Sequence, residues 1–339
     1  MNVLDKIREY FIKKKLKDEK YELGILDKKT NYWKPMLLLI PSIFIVLLFT
    51  FFPLIYASIT SFTYLPNPNN ASIREAGWKN FELVLKDELF AVGVRNSLIY
   101  GFLALPITLT ISIIISTAIS TLYKKWARGF WQTIFFLPYI TSAVAVSIAF
   151  AYMFDNGVGI VNRSLGINTK WLKSGVYDSY LPLVVLLING VWKGLAFQIL
   201  MITTAMLGVD KTLYKAASID GASKTKQFFR ITLPSITKTL NFLVTMGILG
   251  GIKVFPLALF NNNPTEAKVN GGMTIMLMIY DFIKQGASGL AGATTIYLFL
   301  LGVAMSVILK RGIKFVIIII NKIGEKNVLN TIKNTKLIL

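Results

Sequence analysis

The sequence has no cysteine and no histidine among its 339 residues. That excludes disulfides, thiolate or imidazole metal sites, and acid-base chemistry run through a histidine. No G-x-x-x-x-G-K-[ST] phosphate loop occurs, so the chain does not hold ATP in that manner. Acidic residues are sparse, 17 Asp and Glu against 37 Lys and Arg, and none falls within the long apolar runs described below. Intramembrane hydrolysis by paired carboxylates or an H-E-x-x-H site is therefore excluded. A carrier driven by protons or sodium usually places ionisable groups at mid-membrane, and the missing carboxylates argue against one.

What is present is apolar and basic. The chain is 54% hydrophobic, its mean hydropathy is +0.58 and its formal charge is +20. That is too apolar for a soluble domain of this length. The basic residues are interleaved with apolar runs, which fits a membrane surface better than nucleic acid. Six runs are long enough at about 1.5 Å per residue to cross about 30 Å of hydrocarbon. They cover residues 35–62, 97–122, 130–154, 181–209, 235–260 and 290–309. The expected fold is all-α, a polytopic transmembrane bundle of about six spans. Residues 1–34 read as a basic surface arm and 311–339 as a basic tail. The stretch 63–96 reads as loop plus a short amphipathic helix, and 155–180 as loop because of Gly157, Gly159 and Gly166. Residues 273–283 are apolar but too short to cross, so they should insert partly or lie against the spans; 313–323 should be an interfacial helix or a kinked extension of the sixth span.

Charge sets the expected orientation. Twenty-six Lys and Arg lie in the N-terminal arm, 123–129, 209–238 and 310–339, and fewer than ten in the three opposite connections. By the positive-inside rule the first group, both termini included, faces the cytosol.

One polar insert between spans stands out: LYKAASIDGASKTKQFFRITLPSI, residues 213–236. Leu213–Asp220 makes about two helical turns, Gly221 ends them in a left-handed conformation, a second short helix follows, and Pro234 starts the next apolar run. Asp210 is placed to cap the first helix. The order A-A-x-x-D-G-A, followed by Phe228, Ile231, Leu233 and Pro234, resembles the EAA loop of the membrane subunits of binding-protein-dependent ATP-binding cassette (ABC) importers. PMLLLIPSIFIVLLFTFFPLIYASITSF (35–62), GWKNFELVLKDELF (77–90) and FFLPYI (135–140) are similar to segments of the sugar-permease subfamily, and more like the larger of its two paired permeases.

The resemblance spans about residues 35–310 and implies a type I importer permease domain with its coupling loop at 209–234. It implies a multi-pass subunit of the cell membrane that pairs with a second permease, two ATPase subunits and an extracytoplasmic solute-binding protein. It implies no cofactor on this chain, since ATP would be bound and hydrolysed by the partners, and no enzymatic activity of its own. Sugar or oligosaccharide import is the expected function; glycerol phosphate or another polyol is the alternative, ahead of a secondary carrier or a membrane scaffold. The docking residues implied are Leu213, Tyr214, Lys215, Ala216, Ala217, Asp220, Gly221 and Ala222. Lys215 departs from the family, which usually has Glu there, and Asp210 stands where it usually has Pro. With Lys211, Lys224, Lys226 and Arg230 the loop is basic, which calls for an acidic residue in the ATPase cleft.

Two basic residues fall well inside spans, away from their ends: Lys193 and Lys253. Each costs about 2.5–3.5 kcal/mol at a span centre unless it pairs or meets water. Asn189, Lys193 and Phe197 are four apart and share a helical face, with Trp192 alongside. An amide, an ammonium and aromatic surfaces suit a hydroxylated solute, so these four and Lys253 are the substrate-path candidates. Gly250, Gly251 and Pro256 predict a break in the fifth span beside Lys253.

Overall fold

The computed structural model describes residues 33–65 and 75–336, with Asp5, residues 7–10 and Lys14, and side chains through residue 312. Most of the N-terminal arm thus lies outside the described residues. The chain divides after Tyr56 into two compact units. The first ends in helix α1, Trp33–Ser61, which continues across the division. A π turn at Leu47–Phe51 lies just ahead of Pro53, a residue with no N–H to give to a regular turn. The α1 side chains up to Tyr56 are exposed and almost all apolar.

Beyond Ala57 the described residues are helical except for loops and one pair of two-residue strands, β1 Thr63–Tyr64 and β2 Glu75–Ala76, antiparallel with Thr63 opposite Ala76. Helix α2, Lys79–Lys86, is amphipathic and buries Phe81 and Val84. Its Asn80 Nδ2 donates to the carbonyls of Ser61 and Thr63 at 2.9 and 3.0 Å, so the end of α1 is held by side-chain hydrogen bonds where no helical partner remains. Helix α3, Glu88–Thr121, begins nine residues before the predicted second span. The Asp87 carboxylate accepts from Leu89 N at 2.9 Å and so caps it there. The stretch 88–96, part of the 63–96 segment expected as loop plus a short amphipathic helix, is thus the start of the second span's helix.

The predicted third span is not one helix. It consists of α4, Lys125–Ile140, and α5, Ala143–Met153, bent by 92°. Pro138 removes a donor from the last turn of α4, and the Ser142 hydroxyl accepts from Ala145 N to start α5 on a new axis. Among the described residues, five helices are long and apolar enough to cross a membrane, six if this bent pair counts as one span. The expected loop at 155–180 contains helix α6, Ile160–Leu165. The glycines read as breakers bracket it: Gly159 sits where a Cβ would meet Asp155 O at 2.3 Å, and Gly166 closes it at φ +65°.

Helix α7, Leu181–Leu207, packs along α3, joined to it by Ser116 Oγ donating to Ile199 O at 3.1 Å. Then come α8, Lys211–Ile219, α9, Lys224–Gln227, and α10, Thr237–Ile252. The break predicted near Pro256 is present: α10 stops at Ile252, and a 3-10 turn, Leu257–Phe260, follows. The carbonyl of Val254 that the break frees accepts from Thr274 Oγ1 at 3.0 Å. Helix α11, Pro264–Val269, leads to α12, Ile275–Lys284, which lies buried against other helices as expected for 273–283. Asp281 on α12 is buried and paired with Lys268 at 2.5 Å. Helix α13 runs from Ser288 to Lys336 as one element, so residues 313–323 extend the helix of the sixth span.

Asn96 ties α3 to the loop that leads into α12. It is 1% exposed, and its Nδ2 donates to Gly271 O at 2.9 Å and Met273 O at 2.8 Å. Asn96→Leu keeps the volume but orphans two buried carbonyls at about 1–3 kcal/mol each. The apparent Tm of the purified protein should fall by at least about 4 °C, read by intrinsic fluorescence.

Candidate coupling loop and solute path

The loop at 210–236 is built from local signals. Asp210 accepts from Thr212 N at 2.9 Å, and this bond holds its carboxyl below the usual range. Helix α8 ends at Ile219, Ala222 N bonds back to Ala217 O at 2.9 Å, and Gly221 turns the chain at φ +72° with open space around it. Ser223 then caps α9 through Lys226 N. Two side chains fasten the arms of the bend. Gln227 Nε2 donates to Ser218 Oγ and to Ala222 O, both at 3.0 Å, and the hydroxyls of Tyr214 and Thr232 meet at 2.8 Å.

Of the residues singled out in the sequence, Leu213, Lys215, Ala216, Asp220 and Gly221 are exposed, and Tyr214, Ala217 and Ala222 are half-buried. Lys211, Lys215, Lys224, Lys226 and Arg230 are all exposed. The structure adds one that periodicity missed: Ile219, 86% exposed, an isoleucine at the tip of α8. A β-branched apolar residue one position before Asp-Gly, sharing its helical face with Lys215 and only the small Ala216, was the available sign.

The second feature is an open cavity of about 760 Å³ lined from α3, α4, α5, α7, α10 and the break after α10. Asn189, Lys193, Phe197 and Lys253, from two segments distant in sequence, all line it. Trp192 does not; its ring packs on Phe150 at 5.7 Å between centroids. One helical residue is a rotation of about 100°, enough to turn Trp192 to the next face. Its place as an aromatic surface is taken by Tyr139, which stacks on Phe197 at 5.6 Å. Tyr100 and Gln198 also line the cavity. Gly190 is required there, since a Cβ on it would lie 1.9 Å from the Tyr100 hydroxyl oxygen.

Comparison with known proteins places this architecture. Residues 108–314 match the family model described as binding-protein-dependent transport system inner membrane component. The chain is 46% identical over 308 residues to a probable ABC transporter permease protein of Mycoplasma pneumoniae, covering 91% of this chain and 94% of the relative. A permease protein of the sn-glycerol-3-phosphate transport system of Yersinia pseudotuberculosis is 27% identical over 284 residues, 81% of this chain and 92% of that one. Among solved structures, a bacterial ABC transporter that imports the acidic polysaccharide alginate matches in fold, with TM-score 0.65 and 23% identity over 82% of this chain and 94% of that one. A bacterial alginate ABC transporter has also been solved in complex with an alginate pentasaccharide-bound periplasmic protein, TM-score 0.64. This multi-pass chain belongs to the binding-protein-dependent transport family, as a permease subunit of an ABC importer.

Proposed function

We propose that this permease imports a solute of the carbohydrate class across the cell membrane, driven by ATP hydrolysis in two separate ATPase subunits. It works beside a second permease and receives solute from an extracytoplasmic binding protein. Both termini and the 209–234 loop face the cytosol, in keeping with the placement of Lys and Arg. The observation that carries the reading is the α8 tip, where exposed Ile219 ends a helix stopped ahead of Gly221 and bonded to α9 and the turn after it; Leu213, near the start of α8, is exposed as well. Such an apolar knob on a rigid bend transmits movement rather than absorbing it. Leu213 through Ala222 dock on the ATPase; closure of the ATPases moves the loop, and the helices it continues into, α7 and α10, both line the cavity. Opening of that cavity alternates between the two sides. The hydroxylated class of solute is supported by the amide of Asn189 and the ring of Phe197 on one wall, and by the named transport of the Yersinia relative.

Because the chain lacks cysteine, Ile219→Cys gives a single reactive thiol. In inside-out vesicles that thiol should label from the outer solution and cross-link to an ATPase subunit during turnover. Labelling only in right-side-out vesicles, or no ATPase adduct, refutes the reading. Lys215 gives a second test. If its partner cleft is acidic, Lys215→Glu with the native ATPases should lower ATP-coupled uptake about tenfold through like-charge contact. Unchanged or stronger coupling refutes the acidic cleft.

A further inference from the structure

We propose that the first turns of α4 form a binding site for an anionic phospholipid of the cytosolic leaflet. Lys124, Lys125 and Arg128 hold the phosphate headgroup, and the acyl chains lie along Trp126, Phe130, Ile134 and Leu137. The inference goes beyond the import reading and takes from it only the cytosolic placement of residues 123–129.

Three cations fall between positions 124 and 128, where α4 begins. Lys124 and Lys125 are exposed and Arg128 is half-buried, and the ion pairs among the described residues include none of them. No Asp or Glu lies between Glu88 and Asp155, so α4, α5 and all of α3 beyond its first residue carry no acid that could neutralise them. Lys124 and Arg128 are four apart and share one side of the helix start. Arg128 Nη2 donates to Tyr123 O at 3.2 Å, which fixes the guanidinium beside the turn. Like charges held this close repel one another, and an anion relieves the repulsion. The cytosolic leaflet presents anions at that level of the bilayer.

The neighbouring face of α4 is apolar and equally uncovered. Trp126 is 75% exposed, and Phe130, Ile134 and Leu137 follow it at spacings of four, four and three, all exposed. Trp126 and Phe130 stack at 5.5 Å with their planes 17° apart, and Phe130 meets Trp131 edge-on at 5.7 Å. The order along the helix identifies the occupant. Cations come first, rings overlap and follow them, and aliphatic side chains come last, which repeats the headgroup, interfacial and acyl layers of a leaflet. From Lys124 to Leu137 the helix rises about 20 Å, close to half the thickness of a bilayer with its headgroups. A protein surface has no such layering. Further along, α4 carries Tyr139 into the cavity lining, where it stacks on Phe197 of α7. A lipid that holds the start of α4 therefore steadies one wall of the cavity, and import should depend on it.

The test uses the assembled importer in proteoliposomes of phosphatidylcholine with and without phosphatidylglycerol, each lipid also supplied with brominated acyl chains that quench nearby tryptophan. The emission lost in Trp126→Phe/Trp131→Phe isolates the site from the other tryptophans. That emission should be half quenched at a mole fraction of brominated phosphatidylglycerol at least about tenfold lower than of brominated phosphatidylcholine, since each adjacent Lys or Arg favours an anionic lipid about fivefold. Lys124→Gln/Lys125→Gln/Arg128→Gln should erase the difference, and Lys124→Arg/Lys125→Arg should keep it. High salt should erase it in the wild-type protein, a readout that needs no variant. ATP-dependent uptake should rise severalfold with phosphatidylglycerol in the wild type and stay flat in the Gln variant. Equal quenching by the two lipids, or a difference that survives in the Gln variant or in high salt, overturns the proposal and places the three cations against a protein partner. Quenching that follows the anionic lipid without any ATP-driven uptake would instead sink the import reading and keep the lipid site.

Discussion

Gly221→Val should lower ATP-driven uptake about fivefold to thirtyfold while leaving the amount of protein in the membrane close to wild type. At φ +72° a residue with a Cβ is strained by about 1–2 kcal/mol, which converts to that factor, and β-branching worsens the clash. No neighbour lies within 4 Å of the position a Cβ would take, so the cost is conformational and confined to the bend. The strain would be relieved if φ swung negative. That would pull Ala222 N from Ala217 O and move Gln227 away from Ser218, turning the α8 tip and Ile219 out of register with the ATPase. Gly221→Asn, a residue that tolerates the left-handed region, should keep most of the uptake. ATP hydrolysis by the partners should persist in Gly221→Val but lose its dependence on loaded binding protein. If Val and Asn behave alike, the bend is not the transmitting element.

The coupling loop was legible because its determinants are local. Asp210 before a helix and Gly221 after it are capping signals that act within about a turn of the chain, and the cap and the left-handed turn they predict are present. The same logic was available for α3, where Asp87 caps through Leu89 N, nine residues before the start that the apolar run alone indicates. Arg95 is accommodated on the helix by stacking its guanidinium 3.9 Å above the Tyr180 ring, a contact 85 residues away in sequence. The 92° bend between α4 and α5 was hidden for another reason. An apolar run containing Pro138 is compatible with a straight span, a kinked one or two helices, and only packing decides.

The cavity was half legible. A four-residue spacing puts Asn189, Lys193 and Phe197 on one face of α7, and that relation is internal to a helix. No periodicity relates α7 to Lys253, to Tyr100 on α3 or to Tyr139 on α4; those meetings depend on how helices cross. Trp192 illustrates the limit from the other side, since adjacency in sequence put it beside the cluster while helical rotation sent it to Phe150.

Helix crossing itself gives the second large effect. Gly247 and Gly251 form a G-x-x-x-G step on α10 where it meets α3. A Cβ on Gly251 would lie 3.0 Å from Gly101 Cα, and one on Gly101 would lie 2.7 Å from both Cε and Sδ of Met305. Backbone faces backbone at Gly251, so no rotamer change can make room. Gly251→Leu must therefore push the end of α10 off α3, at about 1–3 kcal/mol for the overpacking alone. The displacement would carry Lys253 with it and stretch the bond from Thr274 to Val254 O, so the cavity and the support of α12 fail together. Gly251→Leu should accordingly reduce the folded importer recovered in detergent and abolish uptake by what remains. Gly250, its neighbour, has nothing within 4 Å of the point where an added Cβ would sit. Gly250→Ala should leave recovery unchanged, and it gains slightly from helix propensity. Loss of recovery in both variants would mean that α10 needs flexible glycines rather than a close crossing; loss in Gly251→Leu alone locates the requirement at the contact with Gly101.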